Sequence, residues 1–214
     1  GEWVQRCQTL ARERRIFLTI GSIPEIDVLP SGEVNPEQCY NTLVTIGPDG
    51  VVLEVYRKIH LFDVDIPGGM TIRESDRVIA GDQLSVHSLG ELCVGNSICY
   101  DLRFGGLYQA MVDKGANVLL VPSAFTQRTG EAHWHILLRA RAIENQSWVL
   151  APGQTGGHDD TGNRFSYGHS LIIDPWGRVI ADAGTQEGVI VADITLEEVE
   201  QVRAAIPVQE HRRW

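Results

Sequence analysis

The apolar residues at the start of the chain follow the spacing of a helix and then that of a strand. Helical intervals separate five of them, Trp3, Val4, Cys7, Leu10 and Ala11. This pattern predicts an amphipathic helix that ends near residues 14–15. The continuous apolar run at residues 16–20 then predicts a short buried strand that Gly21 closes. A helix that leads directly into a buried strand is typical of α/β folds.

Strands and helices are interleaved along the rest of the chain. Two predicted strands, 42–46 and 51–56, flank the hairpin signal Gly47-Pro48-Asp49-Gly50. Further strands are predicted at residues 92–98, 118–121, 148–151, 171–173, 178–181 and 189–194, and helices at 104–115 and 131–146. Because there is no repeat, low-complexity segment or linker, we expect a single domain over residues 1–214. Its expected architecture is two sheets packed together and sandwiched by helices.

The predicted helix at residues 131–146 is apolar over much of its surface. Its apolar residues are Trp134, Ile136, Leu137, Leu138, Ala140 and Ile143. We therefore expect this helix to be covered on more than one side.

Composition and charge exclude several classes of function. The 214 residues are 43% hydrophobic and 21% charged, which is typical of a globular protein that buries a full core. The net charge of −10 argues against non-specific binding to nucleic acid or to an anionic membrane. No apolar run approaches the ~18 residues of a membrane span, and no signal-peptide pattern is present. Four cysteines are too few for a disulfide framework, so we expect a cytoplasmic protein, or a mitochondrial one if a transit segment lay upstream.

Cys99 stands where a nucleophile would be exposed. The predicted strand 92–98 ends just before it, and a helix is predicted from residue 104. A cysteine at such a turn lies near backbone N–H groups that begin a helix, and a helix N-terminus or a nearby cation lowers the pKa of a thiol. The alternative is a buried core cysteine, the commonest fate of a free cysteine.

Lys58 follows the predicted core strand 51–56. A lysine in this place usually lies at the exposed rim of the sheet. The alternative is a fixed positive charge held inside a site. Taken alone, Lys58 does not distinguish the two.

The histidines do not form a metal site by their spacing. His133 and His135 are two residues apart on a predicted helix, so they point to different sides and cannot bind one ion together. His169 enters a predicted strand, and we expect it to be a hydrogen-bonded structural residue. A calcium loop that begins at Asp63 is rejected, because Pro67 at its fifth position supplies no side-chain oxygen.

A series of motifs along the chain carries a resemblance to a known family. They are residues 21–25 (GSIPE), 56–63 (YRKIHLFD), 81–82 (GD), 98–104 (ICYDLRF), 122–125 (PSAF), 129–130 (TG), 132–134 (AHW), 139–144 (RARAIE), 167–170 (YGHS) and 174–177 (DPWG). Together they resemble the nitrilase superfamily of carbon–nitrogen hydrolases over essentially the whole chain. Within it the sequence is most similar to the Nit branch, of the deaminated glutathione amidase type.

The resemblance implies a four-layer α-β-β-α sandwich with a catalytic cysteine. It makes Cys99 the nucleophile, Lys58 a catalytic cation and Glu74 a second glutamate that orders the site. In the implied reaction a carboxylate accepts the thiol proton as sulfur attacks an amide carbon, ammonia leaves, and water hydrolyses the thioester. Lys58 and the N–H group after Cys99 would stabilise the oxyanion. The resemblance implies no metal ion and no organic cofactor.

The same branch implies substrate contacts from Arg103, Tyr100, Phe125 and Thr129. Arg103 follows Cys99 by four residues and is placed to bind a substrate carboxylate through two hydrogen bonds. The alternative for Arg103 is a salt bridge within the protein. The implied substrate is a small amide that bears a carboxylate, either deaminated glutathione or another ω-amide.

The sequence departs from the family's pattern in four places, one of which is Glu131 in the position of a usual Pro. The general-base glutamate of the family belongs to an upstream strand, and neither Glu2 nor Glu25 matches it. We therefore expect the N-terminal strand–helix–strand to be missing, so that a longer product exists or the chain is not active by itself. Gly105-Gly106 replaces the usual Pro-Glu and loosens the start of a helix. Asn96-Ser97 stands where small apolar residues or glycine are usual.

Two functions from different classes are open. The first is an amidase of the Nit type, with other carbon–nitrogen hydrolases, such as carbamoyl-amino-acid hydrolases and aliphatic amidases, as close variants. The second is a non-catalytic protein that keeps the nitrilase fold for dimerisation or partner binding. The resemblance also implies a homodimer or a larger even-numbered assembly, with the 131–146 helix as the predicted contact. We expect no nucleic-acid and no membrane partner.

Overall fold

The chain divides into two compact units, each with its own sheet and its own hydrophobic core. The computed structural model describes residues 1–65, 71–158 and 165–213. The units are Gly1–Ser85 and Val86–Trp214. Both combine helices with a sheet, which confirms the predicted α/β class. That residues 1–214 form one domain stays a prediction.

The first unit is a sheet with a helix against it. Its described elements are α1 (Glu2–Arg14), β1 (Leu18–Val28), β2 (Val34–Ile46), β3 (Val52–Arg57), β4 (Asp63–Asp65), β5 (Thr71–Arg73) and β6 (Val78–Ile79). Strands β1, β2 and β3 pair antiparallel in that order, and β6 pairs with β2 in parallel. Strands β4 and β5 form a separate antiparallel pair.

The predicted first helix is confirmed, and its apolar stripe explains where it packs. Cys7 and Ala11 of α1 are buried against Ile20 and Val44 of the sheet. Residues four apart lie on the same face of a helix, so both side chains reach the sheet together. The helix ends at Arg15, which adopts the left-handed conformation with φ of 52°.

The predicted strand at residues 16–20 is wrong in both of its ends. Ile16 and Phe17 are exposed and precede β1, which continues through Gly21 to Val28. Gly21 does not close the strand, because β1 resumes its antiparallel pairing with β2 after a register irregularity beyond Ile20. Backbone pairing with a long neighbour has outweighed the local break that a glycine signals.

The hairpin predicted at residues 47–50 is confirmed. Strands β2 and β3 pair on either side of it, and the N–H of Gly50 donates to the carbonyl of Gly47 at 2.9 Å. Gly50 has φ of 81°, a conformation that glycine adopts without a steric cost. The side chain of Gln8 on α1 donates to the carbonyl of Gly50 at 2.9 Å, which ties the helix to the hairpin.

The second unit is built on a six-stranded sheet. Its described elements are β7 (Val86–Leu89), β8 (Leu92–Asn96), α2 (Gly105–Asp113), β9 (Val118–Leu120), α3 (Gln127–Asn145), β10 (Trp148–Ala151), β11 (Thr155–Gly157), β12 (Phe165–Tyr167), β13 (Leu171–Ile173), β14 (Val179–Asp182), α4 (Leu196–Ala205) and α5 (Val208–His211). The strand order is β14-β13-β10-β9-β8-β7, and β11 pairs separately with β12.

The two faces of this sheet are covered by different parts of the chain. On one face, Val199 of α4 packs with Val118 and Trp148. Side chains alternate along a strand, so Gly95 points to the opposite face. There α2 approaches so closely that a Cβ on Gly95 would lie 2.7 Å from the sulfur of Met111. The missing side chain at Gly95 therefore sets how near α2 can lie.

The candidate residues of this unit follow parallel strands. Strands β8, β9 and β10 are parallel neighbours, so their carboxyl ends meet at one edge of the sheet. Cys99 follows β8, Phe125 follows β9, and the two segments are joined where the N–H of Cys99 donates to the carbonyl of Pro122 at 3.0 Å. This edge is the place where the predicted nucleophile and substrate residues converge.

Most predicted elements of the second unit are confirmed with shifted ends, but the strand predicted at residues 189–194 is wrong. These residues are described and form no strand. Ile190, Ala192 and Ile194 pack against the core of the sheet, whereas Val189 and Val191 are 89% and 84% exposed. The alternating pattern therefore records packing on one side of an extended segment, not pairing in a sheet.

Helix α3 begins at Gln127, four residues before its predicted start. Only one face of this helix is buried against the rest of the unit. Its buried residues are Gly130, Trp134, Leu138, Arg141, Ala142 and Asn145. Ile136 and Ile143 are 69% and 49% exposed. Within one chain, the second apolar face expected for this helix is thus uncovered. In the described ranges, no helix combines the length and the apolar character needed to cross a membrane.

Candidate active site

Lys58 and Glu74 form a buried ion pair in the first unit. Lys58 follows β3 and is 2% exposed, and its Nζ lies 2.5 Å from Oε2 of Glu74. The same carboxylate oxygen accepts the N–H of Phe62 at 2.6 Å, and Oε1 accepts Nδ2 of Asn41 at 3.1 Å. This burial is incompatible with a lysine at the exposed rim. The catalytic roles of the two residues stay predictions.

The backbone of Lys58 is held on both sides. Its N–H donates to the carbonyl of Asn41 at 2.8 Å, and its carbonyl accepts the N–H of Gly81 at 2.8 Å. A Cβ on Gly81 would lie 2.3 Å from the carbonyl oxygen of Arg57, so the close approach requires glycine. The Gly81-Asp82 motif therefore contains a residue that positions Lys58, a role that the sequence did not suggest.

Glu25 lies in β1 and is occupied by structural contacts. Arg57 donates from Nε and Nη2 to its two oxygens at 3.0 and 2.6 Å, and the hydroxyl of Thr42 donates at 2.7 Å. The hydrogen bonds from Arg57 hold the pKa of Glu25 below its usual range, although partial burial acts in the opposite direction. A carboxylate with three donors is a poor proton acceptor, in agreement with its exclusion as the general base.

Cys99 occupies a sharp turn in the second unit. A 3₁₀ turn over Cys99–Arg103 connects β8 to α2. Cys99 has φ of 50°, in the left-handed region that costs a residue with a Cβ on the order of 1 kcal/mol. The turn is braced by the N–H of Ile98, which donates to the buried carboxylate of Asp101 at 2.9 Å. Because Cys99 is only half-buried, the core-cysteine alternative does not hold.

Ser97, two residues before Cys99, is fully paired. Its hydroxyl donates to the carbonyl of Leu120 at 2.7 Å and lies 2.7 Å from the hydroxyl of Tyr108, which is therefore the donor to Ser97. Burial raises the pKa of Tyr108, which keeps its hydroxyl protonated. The serine that departs from the family's pattern is thus compensated by a tyrosine on α2.

Arg141 on α3 holds the 3₁₀ turn from the other side. Its Nε and Nη2 donate to the carbonyl of Leu102 at 3.1 and 2.8 Å, and its Nη1 donates to Glu144 at 2.6 Å. Leu102 is three residues after Cys99, so this buried arginine positions the turn that carries the thiol. The motif at residues 139–144 contains this arginine but predicts no role for it. The available signal was a cation three residues before a glutamate on a helix.

Two predicted substrate residues, Tyr100 and Phe125, lie next to a third, Arg103. Its Cζ lies 5.8 Å from the ring centroid of Tyr100 and 5.5 Å from that of Phe125, within the range of cation–π contacts. Its Nη1 and Nη2 lie 3.4 and 3.3 Å from Nδ1 of His133. A guanidinium only donates hydrogen bonds, so Nδ1 accepts here. In the part of the chain that the structure describes, Arg103 forms no ion pair with a carboxylate.

Thr129 lies one helical turn before His133 on α3. Residues four apart share a helix face, so Thr129 is on the face that carries the partner of Arg103. The hydroxyl of Thr129 lies 2.8 Å from that of Thr126, and its described hydrogen bonds do not reach Arg103. The contact of His133 with Arg103 was not predicted from the sequence, where His133 is weighed only as a metal ligand. The four-residue spacing from Thr129 was the signal for it.

Comparison with known proteins identifies the family. A model of the carbon–nitrogen hydrolase family matches residues 1–204. The chain belongs to this family. Omega-amidase NIT2 of Xenopus tropicalis is 44% identical over 213 residues, which are 100% of this chain and 74% of that protein. Deaminated glutathione amidase of Synechocystis sp. (strain PCC 6803 / GT-S) is 44% identical over 208 residues, 96% of this chain and 74% of that protein.

The fold agrees with that of a solved relative of this carbon–nitrogen hydrolase. The crystal structure of the C. elegans NitFhit protein is similar with a TM-score of 0.87 and 41% sequence identity. The match covers 99% of this chain and 50% of NitFhit, so the chain spans about half the length of that protein. The predicted nitrilase-like α/β fold and the predicted family are both confirmed.

The metal predictions for this carbon–nitrogen hydrolase have a mixed outcome. Asp63 lies in β4 and Glu74 binds Lys58, while Pro67 of the rejected calcium loop lies outside the described residues. The spacing of His133 and His135 rules out a shared ion for that pair, but it says nothing about histidines that are far apart in the chain. The structure brings His135 and His169 together with Asp182 in a group of possible ligands.

Proposed function

We propose that this carbon–nitrogen hydrolase is an amidase that releases ammonia from a small carboxylate-bearing amide through a thioester on Cys99. The family supplies the reaction class. Two relatives that are each 44% identical carry the names omega-amidase and deaminated glutathione amidase. The proposed substrate class is a linear ω-amide, with deaminated glutathione as one member.

The observation that carries the proposal is the positive charge of Arg103, which has no carboxylate partner among the described residues. Its guanidinium lies near the rings of Tyr100 and Phe125, and its contacts with His133 leave its positive charge uncompensated. The planar fork of an arginine matches a carboxylate in geometry and charge. Arg103 and Cys99 are the two ends of one 3₁₀ turn. A substrate whose carboxylate binds Arg103 is thereby tethered beside the thiol, which favours attack on its amide.

The proposed reaction has two chemical steps. The thiolate of Cys99 attacks the amide carbon, the carbon–nitrogen bond breaks, and the nitrogen leaves as ammonia with the proton that a carboxylate base took from the thiol. Water then attacks the thioester, releasing the acid and restoring the thiol. The N–H of Tyr100 stabilises the oxyanion, a contribution of a few kcal/mol for such a donor. Lys58, held by Glu74, is proposed as the catalytic cation that the family resemblance implies. No residue of this sequence is assigned to the base.

The thioester step is tested by measuring ammonia release from deaminated glutathione and from succinamate. The wild-type protein should release ammonia, and Cys99→Ser should abolish this release. Cys93→Ser is the matched control, because Cys93 is a half-buried free thiol of β8 in the same unit, and it should keep the wild-type rate. Equal rates for Cys99→Ser and wild type would overturn the proposal. No release by the wild-type protein would favour the non-catalytic alternative.

The carboxylate step is tested with a pair of substrates that differ in one charge. Succinamate carries a carboxylate, and butanamide is its neutral counterpart. Arg103→Gln should raise the KM for succinamate by on the order of tenfold to a hundredfold, as expected for one lost charge-assisted pair, and should change that for butanamide little. Equal changes for both substrates would show that Arg103 does not bind the carboxylate.

We also infer that copies of this chain associate through the uncovered face of α3. Ile136 and Ile143 expose apolar surface on this face. A helix that is apolar on both sides is stable in water only when a second surface covers it. A homodimer or larger even-numbered assembly provides that surface from a second copy.

A further inference from the structure

A cluster of two histidines and one aspartate lies outside the groups assigned to the amidase reaction. His135 comes from α3, His169 from the bend between β12 and β13, and Asp182 from the end of β14. Nε2 of His135 lies 3.2 Å from Oδ2 of Asp182, and Nδ1 of His169 lies 3.0 Å from both carboxylate oxygens. One ligand atom from each residue therefore lies within 4.8 Å of the others.

The cluster is held in place by contacts of its main chain and rings. The N–H of His169 donates to the carbonyl of Gly184 at 2.6 Å, and its carbonyl accepts Nε1 of Trp134 at 2.7 Å. The ring of Tyr167 stacks on that of His169 with centroids 4.5 Å apart. The N–H of Gly184 donates to Asp182 at 2.8 Å. Ligands fixed by the surrounding fold lose little freedom when an ion binds.

The spacing of the ligand atoms suits a tetrahedral ion. Bonds of 2.0–2.1 Å to zinc place neighbouring ligand atoms of a tetrahedron about 3.3 Å apart. The two nitrogen-to-carboxylate distances of 3.2 and 3.0 Å lie close to this value. Two imidazoles with one carboxylate are a donor set found in zinc sites, and softer or harder ions prefer other sets.

Charge and access agree with this geometry. The carboxylate of Asp182 faces both imidazoles and supplies a negative charge next to them. An ionised carboxylate is the form that binds a cation. The side chains of the three ligands are between 23% and 33% exposed, so an ion can enter from solvent and a water molecule can occupy a fourth position.

We propose that His135, His169 and Asp182 bind a Zn²⁺ ion that fastens α3 to the β13–β14 side of the sheet. The three ligands come from three separate elements, so one bound ion links all of them. The proposed amidase reaction makes no use of this cluster. Failure of one proposal therefore leaves the other in place.

The test is calorimetric titration of Zn²⁺ into the full chain after treatment with a chelator. A Cys99→Ser background removes the half-buried thiol of the turn as a competing ligand. One ion per chain should bind with a dissociation constant in the micromolar range or below. His135→Ala and Asp182→Asn should weaken binding by at least about 100-fold, more than the loss of an outer-shell partner costs. His211→Ala, which changes an exposed histidine of α5 outside the cluster, should bind like the background protein.

Thermal unfolding supplies a second measurement that does not depend on catalysis. Zn²⁺ should raise the unfolding midpoint of the background protein and of His211→Ala, because an ion that binds the folded state stabilises it. It should leave the midpoints of His135→Ala and Asp182→Asn unchanged, with circular dichroism verifying that both fold. The proposal is overturned if the background protein binds no Zn²⁺, or if the two ligand variants bind it as well as the background protein does.

Discussion

At the scale of single residues, the thiols of this chain lie in different environments. Burial raises the pKa of Cys7 on α1 and of Cys93 on β8. Cys99 instead sits half-buried in a left-handed turn beside the start of α2. The thiolate is the reactive form of cysteine, so these environments should separate the thiols by their rate of alkylation.

We expect substoichiometric iodoacetamide to label Cys99 before Cys7 and Cys93. Peptide mass spectrometry after a time course measures the order. Cys99→Ser should lose the fast phase of labelling, whereas Cys93→Ser should keep it. Faster labelling of Cys93 than of Cys99 would contradict the assignment of the nucleophile.

The pair between Glu25 and Arg57 predicts a small pH dependence of stability. The pKa of Glu25 is lowered in the folded protein, so its contribution is present above about pH 4.3, the ordinary value of a glutamate, and is lost as pH falls through the folded value. Glu25→Gln should therefore lower the free energy of unfolding at pH 7 by at most about 1 kcal/mol, because the pair is partly exposed to solvent. Urea unfolding at a series of pH values should show this difference shrinking as pH falls below about 4.3 and vanishing once pH is below the folded pKa of Glu25.

Single residues also show where sequence reasoning succeeds and where it stops. The motif at residues 56–63 contains Lys58, the family resemblance implies a role for Glu74, and the structure pairs the two side chains. The contact of His133 with Arg103 and the approach of Asp182 to His169 join residues 30 and 13 positions apart. Neither spacing belongs to a helix or a strand. Only the packing of separate elements creates such contacts, so no local sequence pattern predicts them.

At the scale of elements, the second of the two glycines that begin α2 need not be glycine for steric reasons. A Cβ on Gly106 would meet no atom within 4 Å, and neither Gly105 nor Gly106 has a positive φ. Gly106→Ala should therefore stabilise the protein by about 0.5–1 kcal/mol, because alanine loses less backbone entropy in a helix. Urea unfolding measures the change.

Gly81→Ala is the contrasting variant, because its Cβ would collide with the carbonyl of Arg57. We expect it to destabilise the protein by about 2 kcal/mol, the range seen when a closely packed site is overfilled. If both substitutions had the same sign, the contacts at these two positions would not control stability.

The contact between α2 and the strand end before Cys99 predicts an energetic coupling. Tyr108→Phe removes the donor to Ser97 and should cost about 1 kcal/mol, the net value of a typical buried hydrogen bond. Ser97→Ala should cost a similar amount. The double variant should be less destabilised than the sum of the two, with a coupling of at least about 0.5 kcal/mol. Strictly additive effects would show that the two hydroxyls do not interact.

Periodicity predicted elements best where one face of a helix or strand is buried. The helix α1 and the 47–50 hairpin follow directly from such patterns. Periodicity misplaced the ends of the strand predicted at residues 16–20, where Ile16 and Phe17 are exposed. It failed at residues 189–194, where an extended segment packs without pairing. Burial alternates in the same way for a paired and an unpaired extended chain, so the pattern alone cannot supply the hydrogen-bonding partner.

At the scale of the whole molecule, we expect a charge placed on the uncovered face of α3 to disrupt the proposed association of copies of this chain. Ile136→Asp should shift the molecular mass measured by light scattering from an even multiple of the chain to the monomer, because a buried unpaired carboxylate is costly at an apolar interface. Val189→Asp is the matched control, since Val189 is 89% exposed outside α3, and it should leave the mass unchanged. A stable wild-type monomer would rule out the proposed contact.

The family and fold class could be predicted from the sequence because the motifs lie at the ends of core elements. The order of these elements along the chain determines where their ends lie in the sheet. Cys99 begins the turn that follows β8, Arg103 ends that turn, and Phe125 follows the neighbouring parallel strand. Chain order thus predicts that they meet at one sheet edge. The braces of that edge, such as Arg141 on Leu102, depend on how α3 lies across it and needed the structure.

The left-handed conformation of Cys99 makes the residue that the proposed reaction needs less stable than a glycine would be at the same position. Glycine is the residue that enters this conformation without cost, so Cys99→Gly should be more stable than Cys99→Ala by about 1 kcal/mol. Directed evolution of this protein for heat resistance alone would therefore favour loss of its proposed nucleophile. A thermostability library should keep position 99 invariant, and a glycine at that position in a natural homologue would mark a lineage that has abandoned catalysis for the fold.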